Sequence, residues 1–341
     1  MSDRAARLMC VLVAALALNG CGAARRAGAA SAAAVAAAPT DPLAGSALYV
    51  NPDNPASVEI RQLQAHGDTQ DANLLQRIAA QPVATWFTNK SPQLVAQVSA
   101  LTGAAAAQHE LALIVAYGIP QRDCGAGFSS GGAATPAAYL AWIGRLAAAI
   151  GSGRAIVILE PDAIPAIADG CLGASAARTR IELLSKAVAI LKRNRGMLVY
   201  LDAGNAGWIK PPRKLVTPLR EAGLARADGF ALNVANFQTT AASVAYGDKL
   251  SNELHGAHFV IDTSRNGNGV DTNPADAPTW CNPPGRALGH TPTTSTGMPR
   301  VDALLWIKPP GASDGSCRPG APPAGQWWTQ YALELAAATH P

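Results

Sequence analysis

The chain has 341 residues and a formal net charge of +4, from 27 basic and 23 acidic side chains. Hydrophobic residues make up 49% and charged residues 15%, with 32 Gly and 25 Pro, which excludes a collagen, a coiled coil and a disordered tail. The length suits one large domain or two small ones, and no basic run is long enough to point to nucleic acid.

The first segment reads as an export leader. Arg4 and Arg7 precede the apolar run Leu8–Leu18, which is shorter than the ~20 residues a membrane span needs. The following Leu18-Asn19-Gly20-Cys21 resembles a bacterial lipobox, with Asn19 departing from the usual residue. Cys21 is therefore a candidate lipid site, tethering the protein at the outer face of the cell membrane. The alternative is an ordinary signal peptide and a freely secreted protein. Residues 22–40 are mostly Ala and predict a disordered tether, so the folded domain is expected over 41–341.

Cysteine usage agrees with export. Besides Cys10 in the leader and Cys21, four remain: Cys124, Cys171, Cys281 and Cys317. Three pairings into two disulfides exist, and pairing of sequence neighbours is preferred here. Zinc is the competing use of four cysteines, but no C-x-x-C or His cluster accompanies them.

Seven apolar runs follow: Val83–Phe87, Leu111–Tyr117, Ile156–Glu160, Met197–Asp202, Gly229–Asn233, His258–Asp262 and Leu304–Lys308. They are continuous rather than alternating, which predicts strands covered on both faces. Tyr139–Ile150 and Ile181–Leu191 between them have helical periodicity. The fold class predicted is α/β, a distorted TIM-like barrel of about seven parallel strands with surrounding helices. A doubly wound open sheet is the alternative, and no G-x-G-x-x-G follows the first run to support a dinucleotide role. Residues 266–299 and 309–325 are rich in Gly and Pro and read as long ordered loops.

Asp123, Asp162, Asp202, Asp262 and Asp314 fall at or just beyond the ends of five runs. In a parallel barrel that rim carries the active site. The plain alternative is that these residues cap the helices that follow. Clustered carboxyls can raise one another's pKa, and a glycosidase needs one carboxylic acid and one carboxylate. Flat indoles stack on the C–H faces of sugar rings; Trp86, Trp208 and Trp280 are assigned to a cleft and Trp306 to the core. Metal catalysis is the competing use of clustered Asp, but the few His are not spaced as ligands.

The segments VAYGIPQRDC, VILEPDAIP, YLDAGNAGW, GFALNVANF, FVIDTSRNG, WCNPPGRALG and LLWIKPPGASDG resemble, in order, those of glycoside hydrolase family 6. The resemblance covers nearly all of 48–341. It implies a seven-stranded barrel and hydrolysis of β-1,4-glucan with inversion of configuration. It further implies that Asp162 is the general acid, Asp123 its pKa-raising partner and Asp314 the candidate base. Tyr117 would crowd the distorting sugar. Trp86, Trp208, Trp280, Asn236 and Lys308 would bind glucosyl units, and Asp202 would hydrogen-bond in the same cleft. Arg265 would hold a carboxylate, with Asp314 the candidate, by a forked ion pair. The disulfides of the family pair neighbours. Two positions depart from the pattern: Asn205 stands where His is usual, and Ala312 where Glu is usual, both at substrate. No cofactor and no metal are implied. The expected protein is a monomeric endo-acting cellulase with a β-glucan substrate; a non-catalytic glucan-binding member is the alternative.

Overall fold

A computed structural model describes residues 41–125, 127–273 and 278–339; the predicted leader, the Cys21 lipid site and the 22–40 tether lie outside the described residues. Among those residues the chain runs α1 (Pro55–Ala65), α2 (Thr69–Ala79), β1 (Thr85–Thr88), α3 (Leu94–Ala107), β2 (Ala112–Tyr117), α4 (Pro136–Ile150), β3 (Ala155–Leu159), α5 (Ala163–Ala168) and α6 (Ala174–Leu191). It continues with β4 (Met197–Asp202), α7 (Val216–Glu221), β5 (Gly229–Leu232), α8 (Thr240–Glu253), β6 (Phe259–Asp262), β7 (Val301–Leu305) and α9 (Thr329–Ala337).

The seven strands form one sheet in sequence order, every neighbouring pair parallel. The sheet curls until its edges touch through a single parallel bridge between Val83 and Trp306, where Ala84 N–H donates to the Trp306 carbonyl at 3.0 Å. This is the predicted distorted barrel. The open-sheet alternative fails at that seam.

The continuous apolar runs have a simple cause. Side chains alternate across a strand, and here both faces are covered. On β2, Leu113, Val115 and Tyr117 join the barrel interior, while Ala112, Ile114 and Ala116 face the helices. On β3, Ile156 and Ile158 point inward and Val157 and Leu159 outward; on β4, Leu198 and Tyr200 alternate with Val199 and Leu201. The outer layer is completed by helices with an apolar stripe, such as Tyr139, Trp142, Ile143, Leu146 and Ile150 of α4. That helix starts where Pro136 presets its first turn and the Thr135 hydroxyl accepts from Ala138 N–H. Burying each such aliphatic side chain contributes roughly 1.5–3 kcal/mol before chain entropy is counted.

The last strand is displaced from its expected place. It covers Val301–Leu305 instead of starting at Leu304. Asp302 interrupts the apolar pattern, so the run reads as though it began at Leu304. The sheet admits this acid as an irregularity: Phe259 pairs with Val301 but Val260 with Ala303, leaving Asp302 as the extra residue. Its buried carboxylate accepts from Tyr200 Oη at 2.7 Å and contacts His258 Nδ1 at 2.5 Å. At the other edge, Val83 serves the seam bridge and β1 begins at Thr85. Trp306 is fully buried in a separate cluster with α1, α2 and α9, as its core assignment requires.

Candidate active site

The alternation that fills the barrel also aims its acids. Counting inward positions along β3 (156, 158) leads to Glu160, along β4 (198, 200) to Asp202, and along β6 (260) to Asp262. All three are buried at the carboxyl ends of their strands. They are not alike in what they do there.

Asp262 organises backbone. Its Oδ1 accepts from Ser264 and Ile307 N–H, and its Oδ2 from Ala235 and Lys308 N–H, at 3.0 to 3.2 Å. One carboxylate thus ties together the loops that leave β5, β6 and β7. Glu160, which sequence reasoning does not single out, does the same for the segment after β2, accepting from Gly118 and Ile119 N–H. Burial nevertheless raises its pKa to about 7, with those backbone donors opposing the shift. The period-two count from Ile156 and Ile158 is the signal that could have found it.

Asp162 stands at the first position before α5 with φ 69°, in the left-handed region, and its side chain makes no capping hydrogen bond. The capping explanation therefore fails for this residue. Its own N–H donates to Asp202 Oδ2 at 2.8 Å, which fixes the turn. Desolvation raises the Asp162 pKa to about 6; the charge of Asp123 adds to the shift and Lys308 and Arg180 oppose it. Asp202 is pushed well above the carboxylate range by burial and then by Asp162, and its Oδ1 is buried without a partner. Arg180 donates to the Pro120, Gln121 and Ala163 carbonyls, joining the segment after β2 to α5.

Asp123 lies in the loop after β2. Its Oδ2 accepts from Ser129 N–H at 2.8 Å. Gly127 must be glycine here, because a Cβ would come within 2.0 Å of the Asp123 carboxylate. The Cys124–Cys171 disulfide anchors this loop, and Cys281–Cys317 anchors the opposite pair of loops, so neighbours pair as expected.

Asp314 is shifted in the opposite direction. Arg265 donates to both its oxygens, at 2.9 and 3.0 Å, in the forked geometry expected for this pair. Asn282 N–H adds a bond at 3.0 Å, and Lys308 Nζ lies 3.4 Å away. Burial works to raise the Asp314 pKa, but Arg265 and Lys308 outweigh it and hold the carboxyl below its ordinary value.

The aromatic residues divide between wall and mouth. Trp86 is half-buried, donates from Nε1 to the Ile307 carbonyl at 2.7 Å, and meets Tyr117 edge-on at 5.3 Å. Lys308 Nζ sits 5.7 Å from the Trp86 ring centre, and the Arg122 guanidinium lies 4.4 Å over Tyr117. Trp208 donates from Nε1 to Asp169 Oδ2. Trp280 is exposed. Asn205 spends its Oδ1 on Gly207 and Trp208 N–H, so that oxygen shapes the loop. Asn236 Oδ1 accepts from Phe237 N–H. Ala312 is buried in a bridge with Trp327 and brings no polar side chain to the cleft. Among the described residues no group of three or more His, Cys, Asp or Glu is arranged to hold a metal ion, and no helix is long and apolar enough to cross a membrane.

Carboxyls whose pKa values are pushed in opposite directions, on the carboxyl rim of a parallel barrel, are what acid–base cleavage of a glycosidic bond requires. The chain belongs to the glycosyl hydrolases family 6, whose model matches residues 43–339. It is 43% identical over 293 residues to Endoglucanase A of Cellulomonas fimi, covering 85% of this chain but only 61% of that protein, less than two thirds of its length. It is 40% identical over 296 residues to Endoglucanase 1 of Streptomyces halstedii, covering 84% of this chain and 88% of that one. The endoglucanase Cel6 of Mycobacterium tuberculosis, solved in complex with methyl-cellobiosyl-4-deoxy-4-thio-β-D-cellobioside, superposes with a TM-score of 0.81 at 41% identity, covering 88% of this chain and 99% of that one.

Proposed function

We propose that the protein hydrolyses β-1,4-glucosidic bonds within cellulose-like glucans, with inversion at the anomeric carbon. Asp162 is the general acid, Asp123 helps to keep it protonated, and Asp314 is the carboxylate that receives the proton of the attacking water. One observation carries this reading: desolvation and Asp123 raise Asp162, while Arg265 and Lys308 depress Asp314. Two carboxyls with separated pKa values can serve as acid and base at one pH. Because Asp314 is depressed, it is a weak base; the proton passes to it only as the water oxygen bonds to the anomeric carbon, which makes that water acidic. Trp86, Tyr117, Trp208 and Trp280 supply the surface against which glucosyl rings lie, with Asn205, Asn236, Asp202 and Lys308 around them.

The endoglucanase relatives support cutting within chains. Export through the 1–21 leader, with or without a lipid on Cys21, suits a polymer outside the cell and agrees with two disulfides. A chain that binds glucan without cutting it is the second reading, favoured by Asn205 and Ala312 at the two departing positions.

The test follows the viscosity of carboxymethylcellulose and its reducing ends together, with Asp162→Ala as control. A steep viscosity fall with few new ends, absent in the control, supports endo-hydrolysis with Asp162 as acid. Binding without release supports the second reading.

A further inference from the structure

Phe128 has no role in the mechanism above, and its position is unusual. It is 50% exposed and Trp280 is 48% exposed, and their ring centres lie 6.3 Å apart at 57°. A large apolar side chain left in water on a monomeric surface needs a reason when another stands beside it. Phe128 also rests on Gly315: a Cβ at that glycine, whose φ is +144°, would lie 2.5 Å from the Phe128 Cβ and Cγ.

The chain neighbours of these contacts are the acids. Gly127 packs on the Asp123 carboxylate and Ser129 donates to it, while Gly315 directly follows Asp314. The loop after β2 thus reaches the loop after β7 across the end of β1, the strand that carries Trp86. The site on the β7 side is stiff: Asn282 Nδ2 donates to the Gly315 carbonyl at 2.8 Å, and Cys281–Cys317 closes the same segment.

We propose that Phe128 is a specificity-determining residue that contacts the glucan beside the scissile bond, pairing with Trp280 to narrow the cleft around an unsubstituted sugar ring. The inference rests on the glucanase reading. Two tilted aromatic faces offer apolar area to the C–H faces of a pyranose, and an aromatic contact costs little conformational entropy. The same narrowing excludes rings that carry bulky substituents, which is discrimination by clash.

The test compares the wild-type full chain with Phe128→Ala and Phe128→Tyr on cellopentaose and on highly substituted carboxymethylcellulose. For Phe128→Ala the KM for cellopentaose should rise roughly three- to tenfold, the equivalent of one lost aromatic contact. Hydrolysis of the substituted polymer should hold or improve, so the preference ratio falls, and Phe128→Tyr should restore it. No change on either substrate overturns the proposal. So does an equal fall in kcat on both with KM unchanged, which is what a loop merely loosened around Asp123 would give. Should the wild type cleave neither, the glucanase reading fails by itself; calorimetric binding of cellopentaose to the Asp162→Asn chain then decides Phe128, weaker binding with Phe128→Ala supporting it and equal binding overturning it.

Discussion

Arg265 and Asp314 face each other as a two-bond fork in the interior, guanidinium and carboxylate both buried. A buried pair is weak evidence of net stabilisation, but removing one member strands the other. Arg265→Ala should therefore cost about 3–5 kcal/mol of unfolding free energy. Arg265→Lys should cost less, because it keeps the charge and loses the fork. Urea titration of the three proteins checks this ordering. Activity should fall in both variants, since the fork that orients the Asp314 carboxylate is lost.

The pH profile should show the acid. Asp162 must carry its proton to act, so kcat/KM on cellohexaose should decline as the pH rises through about 6. Replacing Asp123 with Asn removes one cause of the raised pKa and should move that alkaline limb to lower pH. The limb should not fall to the ordinary carboxylate value, because desolvation, the larger cause, remains. A limb that stays in place in Asp123→Asn would remove Asp123 from the role assigned to it.

Asp302 offers a stability test away from the cleft. Burial pushes its pKa up to about 6, against the opposing bonds from His258 and Tyr200, and Asp41 adds a further upward push. A carboxyl raised in the folded state favours folding while protonated, and that contribution is lost as the pH rises from the ordinary carboxylate value through about 6. Asp302→Asn should abolish this part of the pH dependence of the thermal midpoint. Asp302→Ala should leave the Tyr200 hydroxyl and His258 Nδ1 unpaired, at roughly 1–3 kcal/mol for each buried group. Both variants should keep the wild-type shape of the activity profile, because neither touches the rim.

The Cys124–Cys171 disulfide closes a loop with a sequence separation of 47. In the chain-entropy model such a crosslink contributes about 4 kcal/mol, so a Cys124→Ser, Cys171→Ser double variant should melt several degrees lower. It should also show a displaced alkaline limb, since Asp123 immediately precedes Cys124. Calorimetry and the pH profile together test both effects. An unchanged limb with a lower melting point would confine the bridge to stability.

The strands are legible in the sequence because each is covered on both faces, and Ile156–Leu159 or Met197–Leu201 can hardly be read otherwise. The start of β7 is hidden because one acid, Asp302, breaks its run; no local signal says that a barrel interior can hold a Tyr–Asp–His chain. The order of the family motifs is also readable, as is the Arg265 fork. Less is visible at Asn205, where a residue expected at substrate spends its oxygen on two backbone N–H groups. Glu160 and Phe128 escape notice in the sequence for opposite reasons. Glu160 resembles nothing more than the end of a strand. Phe128 passes for an ordinary loop residue until Gly315 and Trp280, more than a hundred residues away in sequence, come to lie against it.

The barrel wall is not equally strong all the way round. Between β1 and β7 the ladder shrinks to the Val83–Trp306 bridge and the Trp86 indole bond to Ile307. Opening the wall there breaks far fewer backbone bonds than parting any other neighbouring pair. In heavy water the Ala84 amide should therefore exchange well ahead of its counterparts on β3 and β4. The molecule would loosen first along the side where Trp86, Lys308 and Asp314 meet.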